Sequence, residues 1–244
     1  MCAMSNLVIV TGGSSGIGRA LLANAPEASH RIDVSRSGAT EVVDEHVPAD
    51  LSDPAQWAAV AATLTARIVE RSWERITVVQ SAGTLEPIGF VGEVDAEAYT
   101  RNVLINAAAV QVLGHHVLAA LRRVDTRAEL ALVSSGAART PYPGWSSYGA
   151  AKAAVDQWVR TVGAEQEQRG GVRVLSVAPG VVATPMQEAI RATDETDFPN
   201  VARFHQLHED GDLIDADVAA RAFWSLLDDR SVTTGSVTDL RDRF

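Results

Sequence analysis

Short runs rich in aliphatic and β-branched residues alternate along this chain with longer segments of helical period, and this alternation restricts the fold more than any other feature. Residues 7–10, 31–34, 76–79, 129–133 and 172–177 read as strands, and a last short strand is expected at 236–239. Between them 19–25, 54–71, 96–123 and 147–169 read as helices, with another at about 215–228. Such alternation points to parallel βαβ units. Asp53-Pro54 is a good helix start, because aspartate accepts free backbone donors and proline is pre-set for the first turn.

Right-handed crossovers between these units give an α/β fold with a doubly wound parallel sheet, the Rossmann fold. The 244 residues, 46% of them hydrophobic, suffice for a sizeable core and lie within the range one α/β domain fills, so 1–244 is expected to be a single domain. From 184 to 213 the pattern weakens around Pro185, Pro199 and Gly211. An insertion after the last crossover strand is expected there, a common place for a substrate loop.

The 31 acidic residues outnumber the 21 basic ones, for a formal charge of −10, which disfavours nucleic acid and anionic membrane surfaces as partners. The single cysteine, Cys2, has no partner for an internal disulfide and fits a reducing compartment. No run reads as a membrane span or signal peptide, so a cytoplasmic protein is expected.

Gly12-Gly13-Ser14-Ser15-Gly16-Ile17-Gly18 follows the first strand and opens the first helix. That is the context of a dinucleotide fingerprint: Gly12 for a tight turn, Gly16 for backbone donors near a pyrophosphate, Gly18 for close helix–strand packing. A flexible strand-to-helix loop is the plainer alternative. Asp50, placed after a third strand, is a candidate acceptor for the adenine amino group, or simply a helix-start aspartate. At the end of the second strand the order is Asp33-Val34-Ser35-Arg36. With Ser35 at the position that discriminates the two nucleotides, the usual carboxylate acceptor for a ribose 2'-hydroxyl is missing and Arg36 stands ready for a 2'-phosphate, which favours NADP(H). A one-residue shift would bring Asp33 closer, and a solvated Arg36 is the other possibility.

Tyr148 and Lys152 lie four residues apart on one helix face, where an ammonium can stabilise a phenolate and tune a proton donor. The spacing also occurs by chance. Ser135, with Ser134, ends the preceding strand, where a hydroxyl can polarise a carbonyl oxygen or simply close the strand. Asn106 sits among apolar residues of the long helix and must find partners there.

Together, the glycine turn, Asn106, Ser135, Tyr148-x-x-x-Lys152 and Pro179-Gly180-x-x-x-Thr184 resemble the motif series of the short-chain dehydrogenases/reductases, nearly end to end. The spacing of thirteen from Ser135 to Tyr148 is that family's, which selects Ser135 over Ser134. The resemblance implies that Tyr148 protonates the carbonyl, Lys152 lowers the tyrosine pKa and bonds the nicotinamide ribose, Ser135 orients the carbonyl, and Asn106 supports a proton relay. It also implies cofactor contacts from Gly12, Ser14, Ser15, Gly16, Ile17, Gly18, Ser35, Arg36, Asp50, Leu51, Ser81, Ala82, Gly83, Pro179, Gly180, Val182 and Thr184, besides Tyr148 and Lys152, and a homodimer or homotetramer. One departure is Gln80-Ser81-Ala82-Gly83, where the family usually has Asn-Asn-Ala-Gly; this puts the packing beside the adenosine in doubt.

Gly83-Thr84-Leu85-Glu86-Pro87-Ile88, Trp145, Pro185-Met186-Gln187, Ile190-Arg191 and Leu213-Ile214-Asp215 resemble, more narrowly, benzil reductases and their sepiapterin-reductase-like relatives. The implied reaction is NADPH-dependent reduction of a ketone or one carbonyl of a vicinal diketone. Trp145, Met186, Phe198 and Phe204 suit an aromatic pocket wall beside Ser135 and Tyr148, though each is also ordinary core material. Two other classes stay open: an NAD-dependent dehydrogenase of a sugar, steroid or hydroxyacyl alcohol, and a non-catalytic dinucleotide sensor. His115-His116 and His205-x-x-His208 lack an evident partner set, so no metal is expected. Arg122-Arg123 read as compensation of a helix dipole.

Overall fold

The computed structural model describes residues 5–39 and 41–243; Cys2 lies outside them. Seven parallel strands form one sheet: β1 (Asn6–Thr11), β2 (Ser29–Ser35), β3 (Glu45–Pro48), β4 (Arg75–Gln80), β5 (Arg127–Val133), β6 (Arg173–Ala178) and β7 (Val237–Asp239). Their order is β3-β2-β1-β4-β5-β6-β7, so the winding reverses between β1 and β4. Ligands of doubly wound sheets bind outside the carboxyl ends of the strands at such a reversal.

Side chains alternate across a strand, and β1 divides its apolar residues between two cores accordingly. Leu7 and Ile9 face one layer with Leu64 of α2 (Pro54–Val69), Leu113 of α4 (Ala109–Leu121) and Val159 of α5 (Ser146–Arg169). Val8 and Val10 face the other, with Leu21 of α1 (Gly16–Ala23) and Phe223 of α8 (Ala216–Asp228). Each fully buried side chain of this size contributes roughly 1.5–3 kcal/mol of transfer free energy.

The expected strands and helices are present with ends moved by one to three residues, because terminal pairing and capping depend on neighbours. Asp53 caps α2 by accepting the Ala55 N–H, with Pro54 at the first helical position. The expected helix 96–123 is instead α3 (Ala96–Val103), a π-helical turn (Leu104–Ala108) and α4. Arg122 and Arg123 follow its last helical residue, both exposed. The stretch Ala96–Leu121 is long enough, and within it an 18-residue window apolar enough, to cross a membrane. Val110, Leu113, Val117 and Leu121 instead bury its apolar side in the sheet core.

Sequence reading gave no helices within 184–213. The segment holds two, α6 (Pro185–Arg191) and α7 (Val201–Glu209). Their short, Pro-interrupted pattern hid them, and they stand because Ile190, Phe198, Val201 and Phe204 pack on Trp145 and Tyr148 in a third apolar cluster. The base of the segment is closed by a bridge between Val182 and Ile214, with Ala183 N–H donating to the Ile214 carbonyl at 2.8 Å and Ile214 N–H to Val181 at 2.9 Å.

Candidate active site

A cleft of about 560 Å³ opens over the carboxyl ends of the strands at the winding reversal. At its floor the turn from β1 into α1 runs through Gly12 at φ 75° and Gly16 at φ 53°, in the left-handed region that favours glycine. A Cβ on Gly12 would lie 2.7 Å from Ala82 Cα, and one on Gly18 would lie 2.2 Å from the Gly12 carbonyl oxygen, so both close approaches require glycine. Ser15 precedes α1 in extended conformation without a side-chain cap, which leaves first-turn amides free for an anion. Thr184 faces this turn: its Cγ2 would lie 3.4 Å from a Cβ on Gly16. A dinucleotide pyrophosphate fits such a cradle.

Ser81 and Ala82 close the floor from β4. Their backbone N–H groups both donate to Thr11 Oγ1 at 3.2 Å, so the loop is held from β1 despite the absence of the family's asparagine. At one end of the cleft, β2 stops at Ser35, and Arg36 follows, exposed and lining it. Asp33 is fully buried and faces away, accepting the Gly13 N–H at 2.7 Å. Asp50 and Leu51 line the same end. The Asp50 carboxylate accepts the hydroxyl and backbone N–H of Ser52, bonds that hold its pKa below the usual range.

At the other end β5 delivers Ser134 and Ser135, and α5 delivers Tyr148 and Lys152 one turn apart. Lys152 Nζ donates to the Val133 carbonyl at 2.9 Å and stands 5.6 Å from the Tyr148 ring centroid. Burial pushes the lysine pKa down to about 8, opposed by the charge of Asp156. Burial pushes the Tyr148 phenol up, opposed by a hydrogen bond with Ser135. Desolvation is thus the dominant influence on both groups.

Asn106 alone among the expected catalytic residues does not line the cleft. It sits in the π-helical turn, fully buried, donating to the Thr84 carbonyl at 2.7 Å and to Asn102 Oδ1 at 2.9 Å while accepting the Thr84 N–H at 3.2 Å. Its side chain thus pins the loop after β4 instead of facing substrate. Gly83 is needed at that contact, since a Cβ there would lie 2.6 Å from Asn106 Oδ1 and 3.8 Å from Lys152 Nζ.

Trp145 stacks on Phe198 at 4.5 Å and meets the Tyr148 ring edge-on at 6.1 Å. Trp145, Met186 and Phe204 line the cleft as expected, whereas Phe198 is completely buried behind them and forms no part of its surface. Pro179, Gly180, Val182 and Thr184 complete the wall after β6. Sequence reasoning missed Tyr142, Arg203 and Arg241, which also line it. Isolated residues on loops and a short helix carry no motif; only the fold gathers them. Asn102, four before Asn106 and donating to the carbonyls of Thr84, Leu85 and Glu86, did carry a signal in its helical spacing. Among the described residues no three His, Cys, Asp or Glu side chains are grouped to hold a metal.

A family model described as short chain dehydrogenase matches residues 6–195. The chain belongs to the short-chain dehydrogenase family. It is 31% identical over 240 residues to a benzil reductase ((S)-benzoin forming) of Bacillus subtilis, covering 97% of this chain and 98% of that one. A sepiapterin reductase of Xenopus laevis is 29% identical over 261 residues, covering 98% and 96%. Among solved structures, the YIR035C short chain dehydrogenase/reductase from Saccharomyces cerevisiae superposes with a TM-score of 0.83 at 27% identity over 96% of each chain. The chain is thus an oxidoreductase of carbonyl type, of a family that takes NAD(P) nucleotides and small-molecule substrates.

Proposed function

We propose that this chain is an NADPH-dependent carbonyl reductase that acts on a ketone or vicinal diketone of the benzil kind and yields an alcohol or α-hydroxyketone. One observation carries the reading. Ser135, Tyr148 and Lys152 share a cleft with an aromatic wall of Tyr142, Trp145 and Phe204, and the opposite end of that cleft carries Ser35 and Arg36. An aryl ketone needs such a wall for its rings and a proton donor beside them.

Tyr148 donates its phenolic proton to the carbonyl oxygen. Burial favours its protonated form, the form a proton donor must have. Ser135 orients and polarises the carbonyl, and a small cost in reorganisation follows from its fixed place at the end of β5. Lys152 binds the nicotinamide ribose and places positive charge near Tyr148. Asn106 acts by holding the loop through Thr84 and Gly83, on which the relay side of Lys152 depends. A bound nicotinamide supplies the hydride.

The 2'-phosphate falls to Arg36, with the pyrophosphate on the Gly12–Gly18 turn. The whole of 1–244 serves as one dinucleotide-binding and catalytic domain, with 184–213 as its substrate loop. It works in the cytoplasm as a homodimer or homotetramer, with Val103 and Val112 exposed on α3 and α4 as apolar contact surface.

The test is consumption of NADPH and of NADH with benzil, 1-phenyl-1,2-propanedione and sepiapterin. Turnover of a diketone with a lower KM for NADPH than for NADH supports the reading. Oxidation-only turnover with NAD, or nucleotide binding with no turnover across a broad carbonyl panel, overturns it.

A further inference from the structure

The end of β2 holds an arrangement that neither the glycine loop nor Arg36 requires. Asp33 is completely buried, a state carboxylates adopt only with hydrogen-bonding partners. Its Oδ1 accepts the Gly13 N–H at 2.7 Å and its Oδ2 accepts the Ser35 hydroxyl at 2.6 Å. The Ser35 oxygen in turn accepts the Gly38 N–H at 3.0 Å. One carboxylate therefore ties the nucleotide loop to the last residue of β2 and to the turn behind it. A glycine at 13 leaves room for this: a Cβ there would collide with Leu22 Cδ1 and lie 2.5 Å from Asp33 Oδ1.

A hydroxyl has a single proton to give. With that proton on Asp33, Ser35 meets a ligand as an acceptor only. A 2'-phosphate consists of acceptors, so Ser35 offers it nothing, whereas a ribose 2'-hydroxyl is able to donate to Ser35. The carboxylate also adds negative charge behind the same spot. Of Ser35 and Arg36, Arg36 alone is left to attract a phosphate.

We propose that Asp33 is a positioning residue that sets nucleotide choice: it fixes the glycine loop, withholds the Ser35 proton, and leaves discrimination for the 2'-phosphate to Arg36. This rests on the dinucleotide reading above. The measurement is the dissociation constant of the full chain for NADPH and for NADH, by fluorescence titration.

In Asp33→Asn the amide oxygen still accepts from Gly13 while its N–H₂ donates to Ser35, which turns the hydroxyl proton toward the cleft. The ratio of the NADPH to the NADH dissociation constant should fall about tenfold, the size of one hydrogen bond to a charged group. Adding Ser35→Ala to Asp33→Asn should cancel that part of the gain. An unmoved ratio, or a parallel rise of both constants as a purely structural role would give, overturns the proposal.

Should Asp33→Asn fail to fold, Ser35→Ala alone reads the same point. NADPH affinity relative to NADH then holds or improves, and a tenfold relative loss of NADPH overturns the proposal. A wild-type chain that binds neither nucleotide overturns the dinucleotide reading and the proposal with it.

Discussion

Strand β5 carries a buried charge near its amino end and positions another beyond its carboxyl end, and the two sites satisfy their charges in opposite ways. Glu129, with no exposed surface, accepts Arg75 Nε at 2.9 Å, Arg127 Nε at 2.8 Å and Thr77 Oγ1 at 3.2 Å, with Arg173 and Arg230 at 3.6 and 3.9 Å. Arg75, Arg127 and Arg173 also donate to the Leu227 carbonyl near the end of α8, where positive charge complements the helix dipole. Among the described residues Lys152, over the far end of the strand, has one hydrogen-bond acceptor, the Val133 carbonyl, and a pKa pushed down to about 8. A buried charge that serves structure is surrounded by partners. The one that the proposed function assigns to chemistry is left short of them, with donors to spare for a ligand.

The largest expected effect separates the two ends at once. Tyr148→Phe should lower kcat for diketone reduction by about 10³-fold while the chain still unfolds at the wild-type urea midpoint, since only a proton donor is lost. Equal turnover by the variant would remove Tyr148 from the role of acid.

Glu129→Gln should do the reverse. Removing one partner of a buried ion cluster costs about 3–5 kcal/mol, read as a lower urea midpoint, with the dissociation constant for NADPH unchanged. An unmoved midpoint would show that the arginines are adequately solvated without the carboxylate.

Lys152→Met sharpens the contrast further. The lysine holds its proton with a pKa of about 8 in the folded chain against an ordinary 10.5, so between those values the unfolded chain binds more protons and stability rises with pH. Below pH 8 the buried ammonium costs stability, on the order of 3 kcal/mol. The methionine variant should therefore be more stable than wild type at pH 7, lose that rise between pH 8 and 10.5, and be crippled in turnover. Chemical denaturation across pH checks all but the last, and a wild-type stability that falls through this window would refute the account of the lysine.

The smallest effect concerns the wall. Trp145→Ala should raise KM for aryl diketones about tenfold, one aromatic contact's worth, with nucleotide affinity intact. Unchanged KM would take Trp145 out of substrate binding.

The contrast between the ends also explains what was legible beforehand. Residues with local signatures were readable: the glycine turn, whose spacing follows from backbone geometry, and Tyr148 with Lys152, whose four-residue spacing follows from the helix. Every cofactor residue expected from these motifs lines the cleft. The Arg75–Glu129–Arg173 cluster was not readable, since its members come from three strands and only the sheet register puts Arg75 opposite Arg127 and Glu129 opposite Arg173. The role of Asn106 changed for the same reason. Its burial was expected, but its attachment to Thr84 requires the π-helical turn and the loop after β4 to meet.

Alternation of strand and helix, with glycines where the chain must turn tightly, was enough to determine the doubly wound class and the end of the sheet where chemistry occurs, because both follow from short-range sterics and periodicity. Tertiary structure alone decided how each charge is treated: which carboxylate is caged by arginines, that Lys152 is buried against the Val133 carbonyl, and which way the Ser35 proton points. Those outcomes depend on desolvation and on partners distant in sequence, and no local pattern of residues encodes either.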